Sequence, residues 1–335
     1  MDNKSSTSSR SPGDVEGETV AKKSRLVYKT IIYDESIANQ WLDEPPLEVW
    51  DHHIIPLLSL RDLALSRTVC TFFEAYWQDK FSNNVLPLRV GNDVATIDDV
   101  MDVIEILSSR REHTKLNPLV VLLGKGEHQI TSSWTGPPQL YVNNVHESTI
   151  AITRSNITFV GTGKDTTTIL GGFRIEDFEN ITFKNMTVTN ASEDGDGIFM
   201  RNAKVELIDV ALKGCDNDAV WITSSTSATT LVATRCEFAN NGSHGVVLYN
   251  RLIIATFNNC VFHDNKYDGL QGRVLCTIHL HGEATAIYHN GRYGILAFAS
   301  GKVLLHLPSH HNTFYNNGGE DRHTNGGGTI TNVED

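Results

Sequence analysis

Cysteine is scarce, and what there is forms no pattern. Five cysteines are scattered through 335 residues, an odd number with no Cys-x-x-Cys pair, which argues against a disulfide framework and the common cysteine zinc modules. Cys236 and Cys260 fall at equivalent positions of a repeat, and are read as small buried residues stacked in a core. Positive charge is also short. Lys and Arg number 28 against 40 Asp and Glu, a net charge of -12, which leaves no electrostatic footprint for nucleic acid or an acidic membrane. No run of about 18 apolar residues supplies a spanning helix. Met1 to Arg25 is polar and lacks the apolar core of a secretion signal, so a cytoplasmic or nuclear location is expected. The six Asn-x-Ser/Thr sequons are then expected to be unused, and the 24-residue step from Asn156-Ile157-Thr158 to Asn180-Ile181-Thr182 points to a structural role. A Gly-rich phosphate loop, a Ser-His-Asp order and a nucleotide fingerprint are all missing. No cofactor is expected.

What is abundant is repetition. From Asn180 to Gly319 one phrase recurs: a large apolar residue, two positions, then Asn, Asp or His and a Gly. Its apolar residue is Val188, Leu212, Phe238, Phe262, Ile287 and Phe314, at steps of 24, 26, 24, 25 and 27 residues. A period of about 20 to 50 residues signals a solenoid or related array. Aligning the copies gives columns. One reads Ile157, Ile181, Val205, Leu231; another, two residues on, reads Phe159, Phe183, Leu207, Ala233, Phe257. Alternate strand residues share a face, so both columns point inward. A third column, Met186, Val210, Cys236 and Cys260, continues the core after a bend. Positions such as Asn190, Asn240, Asp264 and Asn316 fall at corners, where Asn and Gly tolerate left-handed backbone and Asn amides can bond the next turn. The fold expected is mainly β: a right-handed single-stranded parallel β-helix of about seven rungs, roughly residues 115–330.

Ahead of the repeat, Thr96 caps a helix expected over 96–109, with Asp99 in its first turn and Val100, Val103, Ile104 and Leu107 on one face. Pro118 to Leu123 reads as a buried strand, followed by the turn Gly124-Lys125-Gly126. Such a helix closes the open end of a solenoid. Ala95 to Val100, Val121 to His128 and Asn156 to Gly163 resemble the entry of the pectin-lyase-like class of right-handed parallel β-helices. Residues 131–148 read as a loop-rich insertion. The domain organisation expected is a disordered tail over 1–25, a helical module over 26–90 with its core at 45–77, and a β-helix with its capping helix over 91–330.

The module at 45–77 is short and apolar and reads as helical. Pro46 precedes a helix carrying Val49, Trp50, Ile54 and Ile55 that stops before Pro56, and Ser59 with Asp62 caps a second. Three short helices cannot cover their own apolar surface, so the module needs a partner. Leu47, Glu48, Val49, Leu58, Ser59, Arg61, Asp62, Leu63, Leu65, Ser66, Val69, Cys70 and Phe73 match the pattern of the F-box, which this stretch resembles; Pro46-Leu47 inverts the family's Leu-Pro. An F-box followed by a β-helix resembles the F-box proteins bearing parallel β-helix repeats, substrate receptors of cullin-based ubiquitin ligases. The resemblance implies a Skp-type adaptor and cullin as partners. It also implies adaptor contacts at Pro46, Leu47, Ile54, Leu57, Leu58, Leu63 and Val69, a protein target on the β-helix, and a chain that is monomeric within the complex. It implies no enzymatic activity of the chain itself.

Two constellations invite chemistry. Asp194 and Asp196, then Asp216 and Asp218 one rung on, then Gly242-Ser243-His244-Gly245 and Arg273, follow the order of acidic turns, Gly-His-Gly and basic residue in polygalacturonases. That likeness implies a pectinase-type hydrolase or lyase with two carboxylates around the scissile bond. It departs from the family at Asn217, at Ser243 and at Arg273, which has no Arg-x-Lys. A non-catalytic interaction scaffold is the third reading. His279 and His281 share a strand face and His306 follows 25 residues after His281, an arrangement able to hold zinc; without a carboxylate to orient the rings, the sequence assigns no metal.

Overall fold

The computed structural model describes residues 87–108, 112–135, 145–224, 226–306 and 313–334. The F-box-like stretch at 45–77, with Pro46, Leu47, Ile54, Leu57, Leu58, Leu63 and Val69, and the expected tail over 1–25 lie outside the described residues. Nearly all of the described chain is β, with a single helix, α1 (Asp99–Ser108), among the described residues.

The strands coil into a parallel solenoid of about seven turns. Face A stacks ten strands, among them Ile157–Val160, Ile181–Thr189, Lys204–Lys213, Thr229–Thr234, Ile253–Asn258, Thr277–His281 and Lys302–His306. Face B continues each turn past a bend, through the far ends of the two long strands and then Glu237–Ala239, Val261–His263, Ala286–Tyr288 and Thr313–Tyr315. Face C is an eight-stranded sheet running from Thr149–Ile152 to Arg322–Asn325. The insertion at 131–148 contributes one antiparallel pair, Trp134–Thr135 with Val145–His146.

The apolar columns fall in register as the repeat requires. Ile157, Ile181, Val205 and Leu231 pair in series, as do Phe159, Phe183, Leu207, Ala233 and Phe257. Val188, Leu212, Phe238, Phe262, Ile287 and Phe314 form the matching column of face B. In-register repetition stacks like on like: Phe159 over Phe183 at 5.2 Å and Phe238 over Phe262 at 4.9 Å. Each such ring removes enough surface from water to contribute about 2–3 kcal/mol. Cys236 and Cys260 are free and fully buried in this stack.

Three series of corners bend each turn. Between faces A and B, Asn185, Asp209, Arg235 and Asn259 are all left-handed, with φ of 56, 53, 55 and 52°. Between B and C the two tasks expected of one Asn are split between neighbours. Asn240, Asp264 and Asn316 take positive φ, while the next residue carries the amide ladder. Asn241 Nδ2 donates to Asn265 Oδ1 at 2.8 Å, Asn265 Nδ2 to Asn290 Oδ1 at 2.9 Å, and Asn290 Nδ2 to Asn317 Oδ1 at 3.0 Å. The repeat's glycines also differ from expectation, since Gly245 and Gly269 are needed for space and not for left-handed backbone. A Cβ on Gly245 would sit 2.4 Å from the Gly269 carbonyl oxygen. The sequon spacing is structural as read: Asn180 Nδ2 donates to Asn156 Oδ1 at 2.8 Å, and both residues are left-handed.

Helix α1 is held by its cap and by tethers. Thr96 Oγ1 accepts the Asp99 N–H at 3.3 Å while Asp99 Oδ2 accepts the Thr96 N–H at 3.1 Å, the reciprocal box its sequence predicts. Val100, Val103 and Ile104 are buried, whereas Leu107 is half-buried. The strand expected to be continuously buried alternates instead, with Leu119 and Val121 inside and Val120 and Leu122 half-exposed, because its other side is an outer face of the solenoid. Asp98 fastens the helix entry to the chain 33 residues on, accepting the Thr131 N–H at 2.8 Å and the Ser132 N–H at 3.1 Å.

Candidate functional site

Two places on the solenoid concentrate chemistry. The first is a column at the entrance to face C. Successive turns put Asp196, Asp218, His244, Asp268 and Tyr293 at the same corner, each just before an inward-facing strand. Asp218 N–H donates to Asp196 Oδ1 at 3.1 Å, His244 N–H to Asp218 Oδ1 at 2.9 Å, and Tyr293 N–H to Asp268 Oδ1 at 3.1 Å. Asn217, which interrupts the acidic pair in the sequence, donates its amide to Asp196 Oδ1 at 3.0 Å. The column therefore satisfies backbone N–H groups that the tight corner would otherwise leave buried and unpaired.

The His244 ring sits between two carboxylates. Its Nδ1 is 3.0 Å from Asp218 Oδ1 and its Nε2 is 3.5 Å from Asp268 Oδ2. Ser243 Oγ also reaches Nδ1, at 2.8 Å. A nucleophilic relay needs the hydroxyl and the carboxylate on opposite ring nitrogens. Here both fall on one, so this is no Ser-His-Asp device. Burial, and then the charge of Asp218, push the Asp196 carboxyl well above the usual carboxylate range. Asp196 is thus held toward its neutral form beside a second carboxyl, an arrangement that general acid–base chemistry uses.

Of the six residues read as possible catalysts, the structure brings together Asp196, Asp218 and His244. Asp194 and Asp216 are exposed on the turns and touch each other, the Asp194 N–H donating to Asp216 Oδ2 at 2.9 Å. Arg273 is not in the group. It pairs in register with Tyr249 and Phe298, five residues beyond Asp268, which at about 3.3 Å per strand residue is on the order of 15 Å away. Two members were missed. Asp268-Gly269 repeats the position of His244-Gly245 after 24 residues, a signal that was present, and Gln271, which donates to Asp268 Oδ2 at 2.7 Å, had none.

The second place is the corner from face C to face A. Tyr249, Leu252, Leu275 and Phe298 are 47, 51, 58 and 36% exposed, and Ile254 joins them at 47%. Arg273 lies between the two rings, 6.0 Å from Tyr249 and 5.6 Å from Phe298, and its buried Nε has no hydrogen-bond partner. Leu252, Val274 and Leu275 hold φ of 65, 55 and 59°. Branched apolar side chains are rarely found there, since left-handed backbone costs them roughly 1–2 kcal/mol. Strain and apolar exposure at one place are the marks of a surface kept for contact. Aromatic rings around an arginine are the composition of interface anchors.

Residues 138–284 match the family model described as a right handed beta helix region. No curated protein matches the sequence significantly. Among solved structures, the chain is similar to ORF18 of Geobacillus virus E2, at 14% identity over 71% of this chain and 58% of that one, with a TM-score of 0.36; it thus spans less than two thirds of that protein. It is also similar to the mannuronan C-5 epimerase A-module of Azotobacter vinelandii, at 12% identity over 75% of this chain and 95% of that one, TM-score 0.37. The pectin methylesterase of Erwinia chrysanthemi is 12% identical over 71% of this chain and 80% of its own, TM-score 0.40.

Proposed function

We propose that the chain is the substrate-recognition subunit of a cullin-type ubiquitin ligase, with the segment at 45–77 docking a Skp-type adaptor and the β-helix binding the protein to be modified. The observation that carries it is the F-box pattern from Leu47 to Phe73, on the same chain as a β-helix. The exposed corner at Tyr249, Leu252, Arg273, Leu275 and Phe298 supports it, as a preorganised apolar surface with aromatic and arginine anchors. A solenoid on the same chain as a docking module would hold its target at high effective concentration near the ligase. In this reading the chain is not itself an enzyme and acts in the cytoplasm or nucleus. The full chain is expected to co-purify adaptor and cullin from a cell extract, and Leu57→Ala with Leu58→Ala to lose both. Capture of neither by the wild type ends the ligase reading.

A second reading rests on the raised Asp196 carboxyl beside Asp218 and His244: a polysaccharide-active enzyme with Asp196 as acid and Asp218 as base. Release of reducing ends from pectate or polygalacturonate that disappears in Asp218→Asn is its signature. The carboxylates' use as backbone acceptors weighs against it.

A further inference from the structure

The outer surface of face A carries, at one point, three imidazoles. His279 and His281 lie half-buried on the outer side of Thr277–His281, and His306, buried at 9% exposure, lies on the same side of the next strand, in line with His281. On the preceding strand of this face the same two columns hold Thr256 and Asn258. The His281 and His306 rings stack at 4.0 Å and 14°, and His279 lies 5.1 Å from His306. His279 Nδ1 is 2.9 Å from His306 Nε2, and one ligand nitrogen from each ring falls within 4.8 Å of the others. Zinc–nitrogen bonds of about 2.0–2.1 Å in tetrahedral geometry place ligand nitrogens about 3.3 Å apart. Small rotations about the soft terminal torsion of histidine close the remaining gap.

We propose that His279, His281 and His306 bind one divalent first-row cation of the zinc type, with a fourth position open to water or a further group. Imidazole is the ligand this class of ion prefers among nitrogen donors. The place is also one where a cross-link adds support. The site joins the turn at 277–281 to the turn at 302–306, and the turn after it, Arg322–Asn325 and Thr329–Val333, is largely exposed and buries little core. A bound ion would clamp the stack next to a turn that apolar burial holds weakly.

The test is zinc titration of the full chain, without a polyhistidine tag, by calorimetry. One equivalent is expected at micromolar affinity or tighter, with a visible ligand-field band of tetrahedral cobalt when Co(II) replaces zinc. His281→Ala is expected to weaken binding on the order of 100-fold, since a ligand is lost, and to leave the metal-free circular dichroism unchanged. His279→Ala serves in the same way should His281→Ala disturb the fold. No uptake by the wild type, or undiminished uptake by the His279→Ala, His281→Ala double variant, overturns the proposal.

Discussion

In the turns around Leu252 and Leu275, the two corners that flank face C solve the same bend in opposite ways. Earlier turns of the C-to-A corner instead use left-handed Asp177 and Asn202, bonded side chain to side chain at 2.8 Å. From B to C, every position is suited to its backbone. Asn240, Asp264 and Asn316 take the left-handed residue, Asn241, Asn265 and Asn290 bond from turn to turn, and Asp196, Asp218 and Asp268 accept the N–H groups that remain. From C to A, Leu252, Val274 and Leu275 hold the same left-handed angles with apolar side chains, two of them in water. One corner lowers the energy of the stack. The other raises it and presents a surface, and a solenoid with the Asn solution available has no structural need for that. The difference supports the proposed target-binding reading of the C-to-A corner more than the acidic column supports a catalytic one, because that column's oxygens accept backbone N–H groups.

The largest effect is expected in the satisfied corner. Asn265→Leu removes donors to Phe238 O and Asn290 Oδ1 and the acceptor of Asn241 Nδ2, all buried. With about 1–3 kcal/mol for each group left unpaired, the loss should be about 4 kcal/mol. Urea unfolding measures it, and amide exchange should localise it to the turns on either side. A loss under about 1 kcal/mol contradicts the ladder's role.

A smaller effect is expected at the capped end. Burial raises the Asp98 carboxyl, but the hydrogen bonds from Thr131 and Ser132 outweigh it and hold the group below its ordinary range. A depressed folded pKa stabilises above the unfolded value near 4 and is lost as pH falls through the folded one. Asp98→Asn should therefore cost about 1 kcal/mol at neutral pH, and the gap from wild type in thermal unfolding should narrow below about pH 4. A gap that is constant with pH separates packing from charge at this tether.

How far the sequence discloses these features depends on whether the physics is local. The apolar columns are legible because a solenoid copies one residue type at one period, and Thr96 with Asp99 is legible because a cap is four residues long. The division of labour between Asn240 and Asn241 is not, since both are Asn and either suits either task. Asp98 looks like an ordinary helix-entry acid until the fold brings Thr131 to it. Leu252 and Leu275 are the least legible: nothing in an apolar side chain announces left-handed backbone, and propensity argues against it.

The smallest predicted change tests the comparison most directly, because it exchanges the two solutions. Leu275 and Asn240 are both exposed and both left-handed, at φ of 59 and 55°, so side-chain burial largely drops out. Leu275→Asn should raise stability by about 0.5–1 kcal/mol, and Asn240→Leu should lower it by a similar amount, since Asn tolerates this backbone and Leu does not. Chemical denaturation of the two variants against wild type reads both signs. Opposite signs show that the C-to-A corner holds strain the chain could shed by a single substitution, as the proposed contact surface requires. Loss of stability in both variants means that Leu275 is held by packing, and the corner then has no claim to be the surface that recognises a target.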